Sequence, residues 1–134
     1  MATALTDFSK YSNIKYTVYN ILEENTNDQA ESFDIVLDSC LFHGLSDADR
    51  VIYMRQVGRL LKPNTGIYVQ LAWSEKETQQ RSKGPRKVRQ VDIEKLFSVD
   101  NGWQIQSIED EILDTIPEIM NGRAAAYLSI IRRL

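Results

Sequence analysis

The 134-residue sequence has one cysteine, one histidine and no long apolar run. Cys40 has no partner for an intrachain disulfide, which argues against a disulfide-stapled secreted domain and favours a reducing compartment. No stretch approaches the roughly 18 apolar residues that a membrane-spanning helix needs, and the first residues lack the basic and apolar parts of a signal peptide. Scattered acids with a single histidine show no metal-ligand spacing. We therefore expect a cytoplasmic protein with no metal site and no membrane contact.

The charge balance argues against nucleic acid as a partner. Sixteen Lys and Arg against nineteen Asp and Glu give a formal net charge of −3, whereas nucleic-acid binding depends on clustered cations. One local exception is the stretch 74–90, which is basic, lacks apolar periodicity and lacks interleaved aromatic residues. This composition predicts a flexible basic loop rather than an RNA-binding surface. With 43% hydrophobic residues, the length predicts a single domain over residues 1–134.

Five strand-like runs, rich in β-branched and aromatic residues, predict an α/β fold. They cover residues 16–21, 33–38, 67–73, 103–108 and 124–131. Ser46 is the expected N-cap of a helix whose apolar residues recur at helical spacing up to Leu61, and residues 91–97 predict a shorter helix. A strand, a helix and a strand joined by short links form a βαβ unit, so we expect the second and third strands to be parallel. The last two strands are expected to form a hairpin.

Four groups of residues then stand in a recognisable order. They are Phe33-Asp34-Ile35-Val36-Leu37-Asp38-Ser39 with Leu41-Phe42-His43, Arg59-Leu60-Leu61-Lys62-Pro63, Gly84-Pro85-Arg86, and Gly102-Trp103 with Ser107-Ile108-Glu109. From about residue 14 to the C-terminus, this series resembles the small S-adenosylmethionine-dependent methyltransferases of the Rossmann-like class. Residues 33–43 resemble the family's fourth strand and the loop after it, and residues 59–63 resemble the helix that enters the fifth strand. The resemblance implies a mixed sheet that ends in a C-terminal strand hairpin.

The glycine-rich start of that family is absent from this sequence. Family members open with a strand, a GxGxG turn that lets the cofactor approach, and a further strand ending in an acid that binds the ribose. No glycine precedes Gly44. The resemblance therefore implies a truncated Rossmann-like sheet of about five strands, missing the first two strands of the family fold. Either the chain is a fragment of a longer gene product, or it is a short protein that has lost the cofactor half.

The resemblance also implies site residues. Asp38, Ser39 and Cys40 follow the second predicted strand, at the edge where open α/β sheets bind ligands, and correspond to cofactor contacts. Asn20 stands where the family commonly has an acid that binds the adenine amino group. His43 is a candidate general base, because imidazole titrates near neutrality. The alternatives are that Asp38 caps its strand, that Cys40 is a small buried thiol and that His43 packs against the core.

Two further expectations concern the acceptor and the partners. The resemblance implies that Gly84, Pro85 and Arg86 form a lid over the acceptor substrate. Without the missing first strand, residues 33–38 expose a strand edge, which residues 16–21 or another copy of the chain should cover. We expect a homodimer, with exchanged strands as one form of it.

These expectations leave two functions open. One is a methyltransferase-like protein that neither binds S-adenosylmethionine nor acts by itself, and that self-associates through its open sheet edge. The other is an active small-molecule methyltransferase that another segment or chain completes with the cofactor half.

Overall fold

The computed structural model describes residues 10–24, 29–80 and 85–134. Within them are four strands and two α-helices. They are β1 (Ile35–Ser39), α1 (Asp47–Leu60), β2 (Ile67–Trp73), α2 (Gln90–Leu96), β3 (Trp103–Asp114) and β4 (Arg123–Arg133). Short 3-10 turns lie at Phe42–Gly44, Val99–Asn101 and Met120–Gly122. Neither described helix is long and apolar enough to cross a membrane.

The strands form one mixed sheet in the order β1-β2-β4-β3. β1 and β2 are parallel, while β4 pairs antiparallel with both β2 and β3. The predicted βαβ unit and the C-terminal hairpin are therefore confirmed. β3 continues to Asp114, well beyond the predicted end at residue 108. Its C-terminal half is rich in acids because it lies at the edge of the sheet, where charged side chains remain in water.

The predicted first strand, residues 16–21, is not a strand, so the described sheet has four strands instead of about five. Val18 is fully exposed, and the segment passes beside Phe33 and Leu60 without joining the sheet. It ends in a turn, in which the Asn20 side chain accepts a hydrogen bond from the Leu22 N–H at 3.0 Å. A preference for extended backbone does not make a strand unless a paired edge and a buried face stabilise it.

Both helices cover the same face of the sheet. α1 begins where the sequence predicts, because the Ser46 hydroxyl accepts a hydrogen bond from the Asp49 N–H at 3.1 Å. Five aromatic rings pack in tilted or edge-on pairs between this helical layer and the strands. They are Phe42, Tyr53, Tyr68, Phe97 and Trp103. This cluster is the main core and fixes the position of α1 over β1 and β2.

The opposite face of the sheet is apolar and incompletely covered, above all at β1. Ile35 and Leu37 are 57% and 75% exposed. Leu37 is opposite Val69, and Val69 is opposite Ile130, so these side chains share the face that points away from α1. We call this surface, made of Ile35, Leu37, Ile67, Val69 and Ile130, the open face. The apolar run in β1 predicts a strand buried on both faces, but the described residues bury only one.

Candidate functional site

Asp38, at the carboxyl end of β1, is buried and its carboxylate accepts four hydrogen bonds. It accepts from the backbone N–H groups of Leu41 at 2.8 Å and Phe42 at 3.2 Å. It also accepts from the hydroxyls of Tyr53 and Tyr68, both at 2.8 Å. Burial, aided by this neighbouring negative charge, raises the pKa of both phenols, so they remain protonated donors. Three of these bonds end on Oδ2 and one on Oδ1, and the residue is only 6% exposed, so burial leaves Asp38 little access to a ligand.

Ser39 and Cys40 continue from Asp38 at the end of β1. Ser39 is exposed, whereas Cys40 is half-buried and donates its backbone N–H to the Leu71 carbonyl at 2.9 Å. Cys40 has a φ of +71°, in the left-handed region that non-glycine residues rarely adopt. This conformation turns the chain sharply from β1 into the 3-10 turn. The structure thus brings three of the predicted cofactor residues together.

Asn20 lies elsewhere. Shortly after Asn20 in the chain, the Glu23 carbonyl accepts a hydrogen bond from the Gln56 side chain at 3.0 Å. Gln56 lies in the C-terminal half of α1. The end of α1 adjoins the start of β1, where Phe33 bridges to Leu61. Asn20 is therefore near the amino end of β1, and the structure does not bring it to the carboxyl-end group.

His43 is buried between the 3-10 turn and β2. Its Nδ1 accepts the backbone N–H of Trp73 at 3.0 Å. Because Nδ1 is an acceptor, the neutral ring carries its proton on Nε2 and acts there as a donor. Burial lowers the pKa of His43 below 6.5 against the opposing effect of Asp38, and nearby Arg50 lowers it further. This geometry favours a neutral, positioned imidazole over a general base.

A cavity of about 200 Å³ opens next to His43 at the carboxyl ends of β2 and β3. Its walls are mostly apolar and come from β2, β3, the start of β4, the β3–β4 connection, the 3-10 turn after β1 and the loop before α2. They are His43, Trp73, Pro85, Leu113, Thr115, Ile119, Met120 and Ala124. Ligands of open α/β sheets bind outside the carboxyl ends of the strands, so this cavity is the candidate acceptor site.

The predicted substrate lid is only partly within the described residues. Pro85 forms one wall of the cavity, and Arg86 donates hydrogen bonds to Asp47 at 2.9 Å and to the Leu45 carbonyl at 2.7 Å. Gly84 lies outside the described residues. Pro85 and Arg86 are thus anchored beside the start of α1, and the lid role of this turn stays a prediction.

The described cations of the basic loop are largely paired within the domain. Lys76 contacts Asp110 at 2.8 Å, and Arg89 contacts Asp92 at 2.8 Å. At the base of the loop, Ser74 and Val88 form a β-bridge. The loop therefore presents less free positive charge than its composition suggests. Among the described residues, no group of three or more His, Cys, Asp or Glu is placed to hold a metal ion.

Most of the cavity wall carries no signal in the sequence. The 3-10 turn that closes it has three successive positive φ angles, at Met120, Asn121 and Gly122. The pair Asn121-Gly122 is a turn signal, but nothing in it indicates a binding site. The position of Trp73 at a strand end favours core packing, and this residue both packs and lines the cavity.

A family model described as a methyltransferase domain matches residues 2–116. The match covers most of the chain, which therefore belongs to this methyltransferase domain family. No curated protein sequence matches the chain significantly.

Solved structures share the fold at low sequence identity. A protein studied for the conversion of a disulfide bond into a thioacetal group during echinomycin biosynthesis has a TM-score of 0.78 at 19% identity, over 98% of this chain and 62% of its own. An S-adenosylmethionine-dependent methyltransferase from Methanosarcina mazei has a TM-score of 0.69 at 13% identity, over 88% and 66%. The 1,6-didemethyltoxoflavin-N1-methyltransferase of Burkholderia thailandensis, solved with 1,6-didemethyltoxoflavin and S-adenosylhomocysteine, has a TM-score of 0.66 at 13% identity, over 98% and 55%.

The chain thus has a Rossmann-like methyltransferase fold and spans about 55 to 66% of the length of these three proteins. The family cofactor is S-adenosylmethionine, whose ribose and adenine need hydrogen-bonding partners at a strand end. Asn20, the residue predicted to contact the adenine, lies near the amino end of β1, so the described residues do not supply that contact. At the carboxyl end, Asp38 is buried and accepts four hydrogen bonds from the domain, whereas Ser39 is exposed.

Because the chain has a single histidine, the pKa of His43 can be measured directly by NMR. We expect NMR titration to give His43 a pKa below 6.5, because burial disfavours the charged ring. The unfolded chain then binds the proton more readily, so the free energy of unfolding should fall as the pH drops below about 6.5. His43→Asn, which cannot titrate, is the control and should lose less stability over this interval. A pKa at or above 6.5, or equal pH dependence of both proteins, would contradict the buried neutral imidazole.

Proposed function

We propose that this chain is the acceptor-binding part of a small-molecule, S-adenosylmethionine-dependent methyltransferase, and that it neither binds this cofactor nor acts by itself. The observation that carries the proposal is the contrast between the two predicted sites. An apolar cavity lies where the acceptor would bind, beside His43 and Trp73. Of the predicted cofactor residues, Asp38 is buried and hydrogen-bonded within the domain, and Asn20 lies apart near the amino end of β1.

The sheet edge supports completion by a further strand. On either side of β1, the Asp34 carbonyl accepts from the Ile67 N–H and the Cys40 N–H donates to the Leu71 carbonyl. The backbone groups of alternate residues between them therefore point towards β2. The N–H and C=O groups of Ile35, Leu37 and Ser39 then point to the other side, towards the free edge. Such an edge is a template for a strand from another segment or chain. A strand docked there would lie beside Ser39 and Cys40, where the family binds its cofactor.

Calorimetric titration of the full chain tests the cofactor half of this proposal. We expect no heat of binding from S-adenosylmethionine or S-adenosylhomocysteine at millimolar concentration, because Asp38 is buried and Asn20 lies near the amino end of β1, away from Ser39 and Cys40. Addition of a glycine-rich N-terminal half in trans should restore binding and turnover. Micromolar binding by the chain alone would contradict the proposal.

Self-association through the same edge is the other candidate function. Its specific support is Leu37, which is 75% exposed on a strand whose outer backbone groups pair with no described residue. Another copy could add its own β1 and satisfy both free edges in one continuous sheet, either directly or by exchange of strands. We propose such a homodimer in a reducing cytoplasm, which the lone thiol of Cys40 favours.

Sedimentation velocity of Leu37→Pro tests this dimer. Proline at an outward-facing edge position removes an N–H donor there and leaves the bonds to β2 intact. We expect the wild type to sediment as a dimer at micromolar concentration and the variant as a folded monomer. Val99→Pro is the matched control, since Val99 is an exposed first residue of a 3-10 turn, and it should stay dimeric. A monomeric wild type, or a dimeric Leu37→Pro, would contradict edge pairing.

A further inference from the structure

We infer that the cavity beside His43 takes an uncharged organic molecule of about one ring, bearing a hydrogen-bond acceptor that the Nε2–H of His43 binds. This inference rests on the proposed function, because it names the class of molecule that the acceptor site binds. It follows from the size of the cavity, the character of its walls and the hydrogen-bonding state of its few polar groups.

The volume limits the ligand to a small molecule. A cavity of roughly 150 Å³ holds benzene, and drug-sized ligands occupy roughly 300 Å³ or more. At about 200 Å³, this cavity has room for one ring with a short substituent. The apolar side chains of Trp73, Leu113, Ile119 and Met120 supply most of its wall, which suits a ring better than a flexible polar chain.

Two N–H donors of the wall side chains, on His43 and Trp73, have no partner among the described residues, and the Thr115 oxygen keeps acceptor capacity. The Thr115 hydroxyl donates to the Ile119 carbonyl, and Nδ1 of His43 accepts from the Trp73 backbone. Nε2 of His43 makes no hydrogen bond to the described residues, and neither does the buried indole N–H of Trp73. The indole nitrogen of Trp73 is buried, so Nε2 of His43 is the donor that a ligand would meet, and a ligand that pairs with it must bring an acceptor, such as a carbonyl oxygen or a ring nitrogen.

The wall does not favour an ionic ligand. None of its side chains is an acid, a lysine or an arginine, and the imidazole is held neutral by burial. Lys87, a cation near this wall, lies 5.7 Å from the Trp73 ring centroid and donates to the Glu77 carbonyl. Burying a charge without a partner is strongly unfavourable, so the cavity should reject carboxylates of the same shape.

The wall is also held in place by hydrogen bonds behind it. Gln79 accepts from the Asn121 side chain at 2.9 Å and donates to the Arg123 carbonyl at 3.0 Å. These bonds fix the 3-10 turn that carries Met120. A preformed cavity avoids part of the ordering cost of binding, which allows weak fragments to be detected.

Three probes of similar shape test the inference with the full chain. Acetophenone has a ring and an acceptor, isopropylbenzene has the ring alone, and benzoate carries a charge. The readout is the pair of indole N–H resonances in ¹⁵N NMR spectra, because the chain has only two tryptophans. Trp73 reports on the cavity, and Trp103 in the main core is the internal control.

We expect both neutral probes to shift the indole N–H resonance of Trp73 and to leave that of Trp103 unchanged. Acetophenone should bind about 3–10-fold more tightly than isopropylbenzene, as expected for one neutral hydrogen bond. Benzoate should shift neither resonance. If no probe moves Trp73, or if benzoate binds as well as acetophenone, the inference is wrong.

Two variants separate the hydrogen bond from the shape of the cavity. In His43→Asn the amide oxygen can still accept from the Trp73 backbone, but the Nε2–H donor is lost, so the preference for acetophenone should disappear. Ala124→Leu fills the cavity and should abolish binding of both neutral probes, with an unchanged Trp103 resonance as evidence of folding. An undiminished preference in His43→Asn would overturn the role of His43.

These outcomes are independent of the cofactor, which the probes do not require. A completed domain that methylates another class of molecule, while the probes leave Trp73 unmoved, would overturn this inference alone. Cofactor binding by the isolated chain would instead overturn the proposed function alone.

Discussion

The buried carboxylate of Asp38 is the interaction on which the rest of the structure depends. Its four hydrogen bonds join β1, the turn after it, α1 and β2 at a single point. A buried charge is tolerated only when hydrogen bonds replace the water it has lost. Because two of those bonds come from the Leu41 and Phe42 backbone, they also hold the turn that presents His43 to β2. The hydrogen-bonded Asp38 carboxylate therefore positions the acceptor cavity, and its burial limits its access to a cofactor.

Another constraint is the uneven burial of the sheet. The helices and the aromatic cluster cover one face, whereas Ile35 and Leu37 lie exposed on the open face and at a free edge. An exposed apolar edge strand is a template for pairing with another chain. In both proposed functions the free edge of β1 becomes paired, because a strand of the glycine-rich half or of another copy would bond to it. The two differ in whether the added strand brings a cofactor site with it.

The parts of the fold that were predictable are those with strong local signals. β2 has the predicted bounds Ile67–Trp73, and α1 starts after its Ser46 cap, because turn residues and caps act within a few positions of the chain. The prediction for residues 16–21 was wrong because strand formation depends on a distant partner. The predicted length of β3 was wrong because acids at a sheet edge have the composition of a loop.

Site residues could be predicted from the sequence only where a residue type at a given position in the fold has few possible roles. Asp38 stands out at a strand end, but whether it binds a ligand or caps the turn depends on Tyr53 and Tyr68, which are distant in sequence. The tautomer of His43 follows from its bond to the Trp73 backbone, which no spacing reveals. The cavity wall comes from Leu113 to Ala124 through a turn with positive φ angles, and its apolar residues resemble those of any core.

The central role of the Asp38 carboxylate is tested most directly by a double-mutant cycle between Asp38→Asn and Tyr53→Phe. The free energies of unfolding are measured by urea denaturation of the full chain. A hydrogen bond to a buried charge predicts a coupling of about 1.5–3 kcal/mol. The exposed pair of Asp34 and Lys62, at 2.8 Å, is the control and should give less than about 1 kcal/mol. A coupling between Asp38 and Tyr53 no larger than that of the control pair would contradict the account.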